Sequence, residues 1–95
     1  MSDEGLRLLI ESLGSQVVGS QSNPAGAVAL LISETIKFRD KLKAETGAVL
    51  TVGDTRAALD ALELCLGGQP PPEKLTPEQK ALLQIWVDRL LLFRS

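Results

Sequence analysis

Hydrophobic residues recur along most of this chain at the three- and four-residue spacing that puts them on one side of a helix. The spacing holds over about residues 3–18, 24–46, 55–66 and 77–93, and polar, glycine-rich or proline-rich stretches separate these segments. The pattern predicts an all-α protein in which residues 1–95 form a single domain, an irregular four-helix bundle.

Two of the predicted helices begin with clear capping signals. Asn23 followed by Pro24 fits a cap and the first helical position of the second helix, which should end near Gly47. Before the last helix, Thr76 can cap and Gln79, three residues later, can complete a capping box. These local signals predict where the two helices start.

The connectors on either side of the third helix differ in composition. Residues 48–52 are β-like, but a lone strand has no partner in this chain. We therefore expect an extended connector that inserts Val and Leu into the core, with a strand paired across a dimer as the alternative. Either Thr51 or Asp54 can cap the helix that follows. Residues 69–72, Gln-Pro-Pro-Pro, predict a stiff linker, which would also allow the last helix to pack on another chain.

Three helices carry an apolar stripe that we assign to the core. In the first helix the stripe is Leu6, Leu9, Ile10, Leu13 and Val17. In the second it is Val28, Leu31, Ile32, Thr35, Phe38 and Leu42. In the last it is Leu82, Leu83, Trp86, Val87, Leu90, Leu91 and Phe93. The third helix is apolar except for one narrow face, so we expect it to be the most buried.

Several apolar residues do not belong to these stripes. Ile85 and Leu92 align in a second strip on the last helix. Three others lie off the stripes of their helices: Leu8, Val18 and Leu30. Burying one exposed Leu or Ile stabilises a complex by roughly 1.5–3 kcal/mol. A few such residues could therefore hold a second copy of the chain or another protein. The candidate interface residues are Leu8, Leu30, Ile85, Trp86 and Leu92, of which Trp86 is also assigned to the core stripe.

Little in the composition supports catalysis. The chain has no histidine and one cysteine, Cys65, which disfavours histidine-based acid–base catalysis, nucleophilic triads and zinc sites. We expect Cys65 to be a small buried packing residue. Asp60 and Glu63 share the polar face of the third helix with Arg56, where solvated charge pairs are expected. We therefore predict a non-enzymatic protein with no catalytic residues, cofactor or metal, and no small-molecule substrate.

The charges are balanced, with twelve acidic and ten basic residues. The only basic run is Lys37, Arg39, Lys41 and Lys43. On a helix the first and third of these point roughly 160° away from the other two, which favours a solvated helix end over a phosphate-binding patch. Nucleic-acid binding is therefore disfavoured. The alternative function is a nucleic-acid-associated regulator in which dimerisation brings the basic residues of the Lys37–Lys43 segment together in one patch.

The remaining features point to an intracellular interaction protein. The longest apolar run, residues 27–32, is far shorter than the roughly 20 residues that span a bilayer. The first residues are acidic, unlike a secretory signal. We expect a cytoplasmic protein–protein interaction module, a small adaptor, regulator or assembly factor, that forms a homodimer.

Overall fold

The computed structural model describes residues 3–19 and 21–94, and of residues 93 and 94 it describes the backbone alone. The helices are α1, which consists of Asp3–Leu9, Ile10–Gly14 and Ser15–Val17, then α2 (Pro24–Thr46), α3 (Val52–Leu66) and α4 (Pro77–Arg94). No strand occurs within the described residues. The predicted all-α, four-helix architecture is confirmed, while the core position predicted for Phe93 falls outside the described side chains.

The capping signals at α2 and α4 form as the sequence predicts. Asn23 Oδ1 accepts a hydrogen bond from the Gly26 N–H at 3.1 Å, and α2 ends at Gly47, whose φ of 76° suits glycine. At α4, the Gln79 N–H donates to Thr76 Oγ1 at 3.2 Å, and the Thr76 N–H donates to Gln79 Oε1 at 3.1 Å. Both orphan donors of the capping box are therefore satisfied.

The third helix begins earlier than predicted. Thr51 caps it, and Asp54 is the reciprocal partner: each backbone N–H donates to the side chain of the other residue at 3.1 Å. The expected start at residue 55 was therefore wrong. In the connector only Leu50 is buried, whereas Val49 and Val52 are exposed, so the segment contributes one core residue rather than several.

The starts of α3 and α4 lie side by side. Gln79 Nε2 donates to Asp54 Oδ1 at 2.9 Å, which joins the two capping boxes. Because the two helices also pack along each other, they run in the same direction. The linker at residues 67–76 carries the chain back along α3, which has 15 residues and is about 22 Å long. A fully extended stretch of this length reaches about 30 Å, so the linker is long enough to return to the start of α3. As a result, α4 packs on α2 and α3 of its own chain.

The core lies where all four helices meet. Its fully buried large side chains include Leu6, Ile10, Leu31, Leu59, Leu62, Leu82 and Trp86. Trp86 Nε1 donates to Thr35 Oγ1 at 3.0 Å, and that hydroxyl in turn donates to the Leu31 carbonyl at 2.6 Å. The polar atoms of both side chains are thereby satisfied inside the core.

A π-helical turn at Ile10–Gly14 changes which face of α1 is buried. A π turn holds about one residue more than an α turn. The side chains after it are therefore rotated about the helix axis by roughly 100° from the positions that a continuous α-helix would give them. Val18 is therefore fully buried, although an uninterrupted helix would place it off the core stripe. Gly14 is buried, and a Cβ there would lie 3.2 Å from Ile10 Cγ2, one turn earlier in the same helix, and at an ordinary contact distance of 3.6 Å from Leu31 Cδ1 of α2.

Candidate functional site

A groove with a volume of about 720 Å³ runs between α2 and α4. On α2 it is lined by Glu34, Lys37, Phe38, Lys41, Leu42 and Glu45, and on α4 by Ala81, Gln84, Ile85, Asp88, Arg89 and Leu92. Each helix thus contributes positions with the repeating spacing of three, one, three, one and three residues. This spacing places every lining residue of a helix on one face.

The apolar residues of the groove differ in how far the core covers them. Phe38 and Leu42 are half-buried and pack against the core from the α2 side. On α4, Ile85 is half-buried and Leu92 is 66% exposed. The exposure of Leu92 agrees with the sequence analysis, which placed it and Ile85 in a strip that one protomer does not cover. The structure extends that strip into a two-walled groove.

Charged and polar side chains of the groove interact with one another. Glu34 Oε1 lies 3.8 Å from Lys37 Nζ and 3.6 Å from Arg89 Nε, so this carboxylate links the two walls. On α4, Gln84 Nε2 donates to Asp88 Oδ1 at 2.8 Å. The apolar centre is therefore bordered by polar groups, as in the core and rim of a protein interface.

The structure places the five candidate interface residues in three different environments. Ile85 and Leu92 line the groove. Leu8 is 58% exposed, as expected, but lies on α1 and does not line the groove. Leu30, expected to be uncovered, is half-buried against the core. Trp86 has no exposed surface and donates to Thr35, so its assignment to the core stripe is confirmed and its place among the interface candidates is wrong.

Other core and surface assignments also change. Leu91 was assigned to the packed face of the last helix, but it is 59% exposed and lies outside the groove. Cys65, expected to be buried, is only half-buried. Phe38 and Leu42 were assigned to the core stripe alone, and their second role as groove residues was missed. The same spacing serves core packing and groove lining, so the second role becomes visible only when α2 is seen packed beside α4.

The basic run divides between two surfaces, as the helical geometry predicted. Lys37 and Lys41 line the groove, whereas Arg39 and Lys43 line a separate depression of about 250 Å³. Arg39 pairs with Asp3 and with Asp40, and hydrogen bonds from Arg39 to these two carboxylates raise its pKa above the ordinary value. This arginine is therefore engaged within the protomer.

The acidic residues of α3 have separate roles. Asp60 and Glu63 are exposed with Arg56 on the polar face, as expected. Burial of Asp54 acts to raise its pKa, but hydrogen bonds from Gln79 and Thr51 outweigh this effect and hold the pKa below the usual value. Asp54 therefore serves as a capping and connecting residue.

Comparison with known proteins gives no family for this chain. No family model matches it, and the searches of curated proteins and of solved structures also found no match. Across residues 3–19 and 21–94, no cluster of three or more potential metal-ligating side chains occurs. In the same part of the chain, none of the helices combines the length and apolarity that crossing a bilayer requires.

Proposed function

We propose that this protein is a non-enzymatic interaction module that binds a second copy of itself through the α2–α4 groove. The observation that carries this proposal is an apolar centre open to solvent between two helices, with Leu92 66% exposed and Ile85 beside it. A second copy would remove these side chains from water, at roughly 25 cal/mol per Å² of apolar surface.

The size of the α2–α4 face fits a dimer of modest stability. Two neighbouring helices make a face about 20 Å wide, and α4, with 18 residues, is about 27 Å long. The flat area of such a face is about 540 Å², below the roughly 800 Å² that each partner buries in a standard interface and in the range of weak, transient ones. A face of this size fits a weakly associating dimer.

The charged groups of the groove support a binding role rather than a catalytic one. The carboxylates of Glu34 and Asp88 each interact with a neighbouring side chain, and they lie at the border of an apolar surface. The alternative, a nucleic-acid-associated regulator, has less support because the basic run is divided between two surfaces and Arg39 is engaged by Asp3 and Asp40. We also propose a cytoplasmic location, where the free thiol of Cys65 would stay reduced.

Two adjacent leucines provide a matched test. Leu92 lies in the groove and Leu91 outside it, yet their exposures are similar, at 66% and 59%. We expect Leu92→Asp to weaken self-association at least about tenfold, because a carboxylate would be buried in the interface. Leu91→Asp should leave the dissociation constant within about twofold.

Sedimentation equilibrium at concentrations up to high micromolar measures the dissociation constants of the wild type and of the two variants. Circular dichroism checks that the helices are retained. Ile85→Asp serves as a second groove variant. A wild-type protein that stays monomeric would contradict the proposal. Equal effects of Leu91→Asp and Leu92→Asp would remove the groove as the binding surface.

A further inference from the structure

The ionic groups of the α2–α4 groove balance one another. Acidic and basic side chains occur in equal numbers on each wall, with Glu34, Glu45, Lys37 and Lys41 on α2 and Asp88 and Arg89 on α4. Three acidic and three basic groups give the face no net charge. A second copy brings the same neutral face, so neither partner carries an excess charge into an interface from which water is removed.

Glu34 contacts a cation on each wall of the groove. Its Oε1 lies 3.8 Å from Lys37 Nζ on the same helix and 3.6 Å from Arg89 Nε on the opposite wall. The side chain of Glu34 is 15% exposed, whereas those of Lys37 and Arg89 are 72% and 55% exposed. The carboxylate is therefore largely covered, while the two cations that it neutralises still reach the solvent.

We infer that Glu34 determines whether a second copy can cover this face, because it supplies the counter-charge for one cation on each wall. This inference rests on the proposed function, since it concerns the same groove, and it adds the side chain on which burial of the charged border depends.

The two contacts of Glu34 have different importance in the protomer and in the dimer. In the free protomer, water solvates Lys37 and Arg89, so their contacts with Glu34 contribute little to stability. Once a second copy excludes water, a cation without its counter-charge strongly opposes burial. The same contacts then decide how tightly the two faces bind.

Glu34→Gln removes the negative charge and keeps the size and shape of the side chain. The face of each copy then holds three basic and two acidic groups, and Lys37 and Arg89 no longer share a carboxylate. We expect this variant to self-associate about tenfold or more weakly than the wild type. Its urea unfolding midpoint at low micromolar concentration, where the protomer predominates, should stay close to that of the wild type.

A second substitution separates the charge balance from a local packing effect. Arg89→Gln in the Glu34→Gln background returns the face to equal numbers of acidic and basic groups. The dissociation constant should therefore come back to within about threefold of the wild-type value. Arg89→Gln alone leaves Glu34 paired with Lys37 and should weaken association less than Glu34→Gln does.

Ionic strength provides a measurement that a purely structural role of Glu34 would not change. Two faces that each carry an excess positive charge repel each other, and salt screens this repulsion. Relative to the wild type, Glu34→Gln should therefore associate more strongly at about 0.5 M than at about 0.05 M sodium chloride. The matched control is Glu63→Gln, which removes the same charge from the exposed face of α3, outside the groove, and should behave like the wild type at both concentrations.

Sedimentation equilibrium of these proteins separates this inference from the proposed function. Weaker association of Glu34→Gln that both Arg89→Gln and salt recover supports the inference. If Glu34→Gln associates like the wild type while Leu92→Asp dissociates the dimer, the inference is wrong and the groove remains the binding surface. A loss that either Arg89→Gln or salt fails to recover likewise overturns it. A wild type that stays monomeric would overturn the inference and the proposed function together.

Discussion

Asp54 Oδ1 accepts a 2.9 Å hydrogen bond from Nε2 of Gln79, 25 positions later in the chain. Each residue also closes the capping box of its own helix, with Thr51 and Thr76 respectively. One contact thus joins the starts of α3 and α4 and fixes the direction of α4 against α3. The groove forms where α4, placed in this way, packs on α2.

The coupling between Asp54 and Gln79 can be measured by a double-mutant cycle. Asp54→Ala and Gln79→Ala should each lower the free energy of unfolding by about 1–2 kcal/mol, because each removes half of a capping box. The double variant should lose less than the sum of the two, by about 0.5–1 kcal/mol, since the shared hydrogen bond is lost only once. Urea denaturation measures these values. Asp60→Ala, on the exposed face of α3, should change the stability by less than about 0.5 kcal/mol. Strict additivity would show that the contact does not form in solution.

The same carboxylate should make stability depend on pH. The pKa of Asp54 in the folded protein lies below its usual value, so folding favours the ionised form. Its contribution is then fully present above the unfolded pKa of about 3.9 and is lost as the pH falls through the lower folded value. The stability advantage of the wild type over Asp54→Asn should therefore shrink between about pH 5 and pH 2. Urea unfolding midpoints across that range measure it. A difference that stays constant down to pH 2 would contradict the assigned pKa direction.

The buried contact between Trp86 and Thr35 predicts that the cost of replacing Thr35 depends on whether Trp86 is present. Thr35→Val removes the acceptor of the buried indole N–H, which should cost about 1–3 kcal/mol. In a Trp86→Phe background the same change should cost clearly less, because no indole N–H remains to be satisfied. Chemical denaturation of the four proteins, followed by circular dichroism, tests this. The same cost in both backgrounds would show that the hydrogen bond contributes nothing to stability.

Two helical glycines should respond oppositely to alanine. A Cβ at Gly14 would lie 3.2 Å from Ile10 Cγ2, and Ile10 is fully buried, so Gly14→Ala should destabilise by about 1 kcal/mol or more. At Gly53 the nearest atom would be Thr51 Oγ1 at 3.7 Å, an ordinary contact, so Gly53→Ala should stabilise by about 0.5 kcal/mol. Thermal unfolding distinguishes the two signs. A gain at both positions would contradict the tight packing described between Gly14 and the Ile10 side chain.

Local features explain why the helices were predictable from sequence. Caps such as Asn23 and Thr76 act within a few residues, and the start of α2 at Pro24 was predicted correctly. The start of α3 was missed by three residues because both Thr51 and Asp54 are capping residue types. In the structure they form one reciprocal box, which begins the helix at Val52.

Features that depend on distant contacts were not predictable in the same way. The burial of Val18 follows from a π turn, which no periodicity count includes. Ile85 and Leu92 could be singled out because they lie off the main stripe of their helix. The opposite wall of the groove, at Phe38 and Leu42, emerged only after the linker had set the direction of α4.

The central claim is that an isolated protomer leaves an apolar groove that a second copy covers. The most direct test is the molecular mass of the wild-type protein in solution, measured by sedimentation equilibrium over a range from low to high micromolar concentration. We predict that the mass rises from the protomer value of 10.2 kDa towards twice that value. A mass that stays at 10.2 kDa across the whole range would contradict the account.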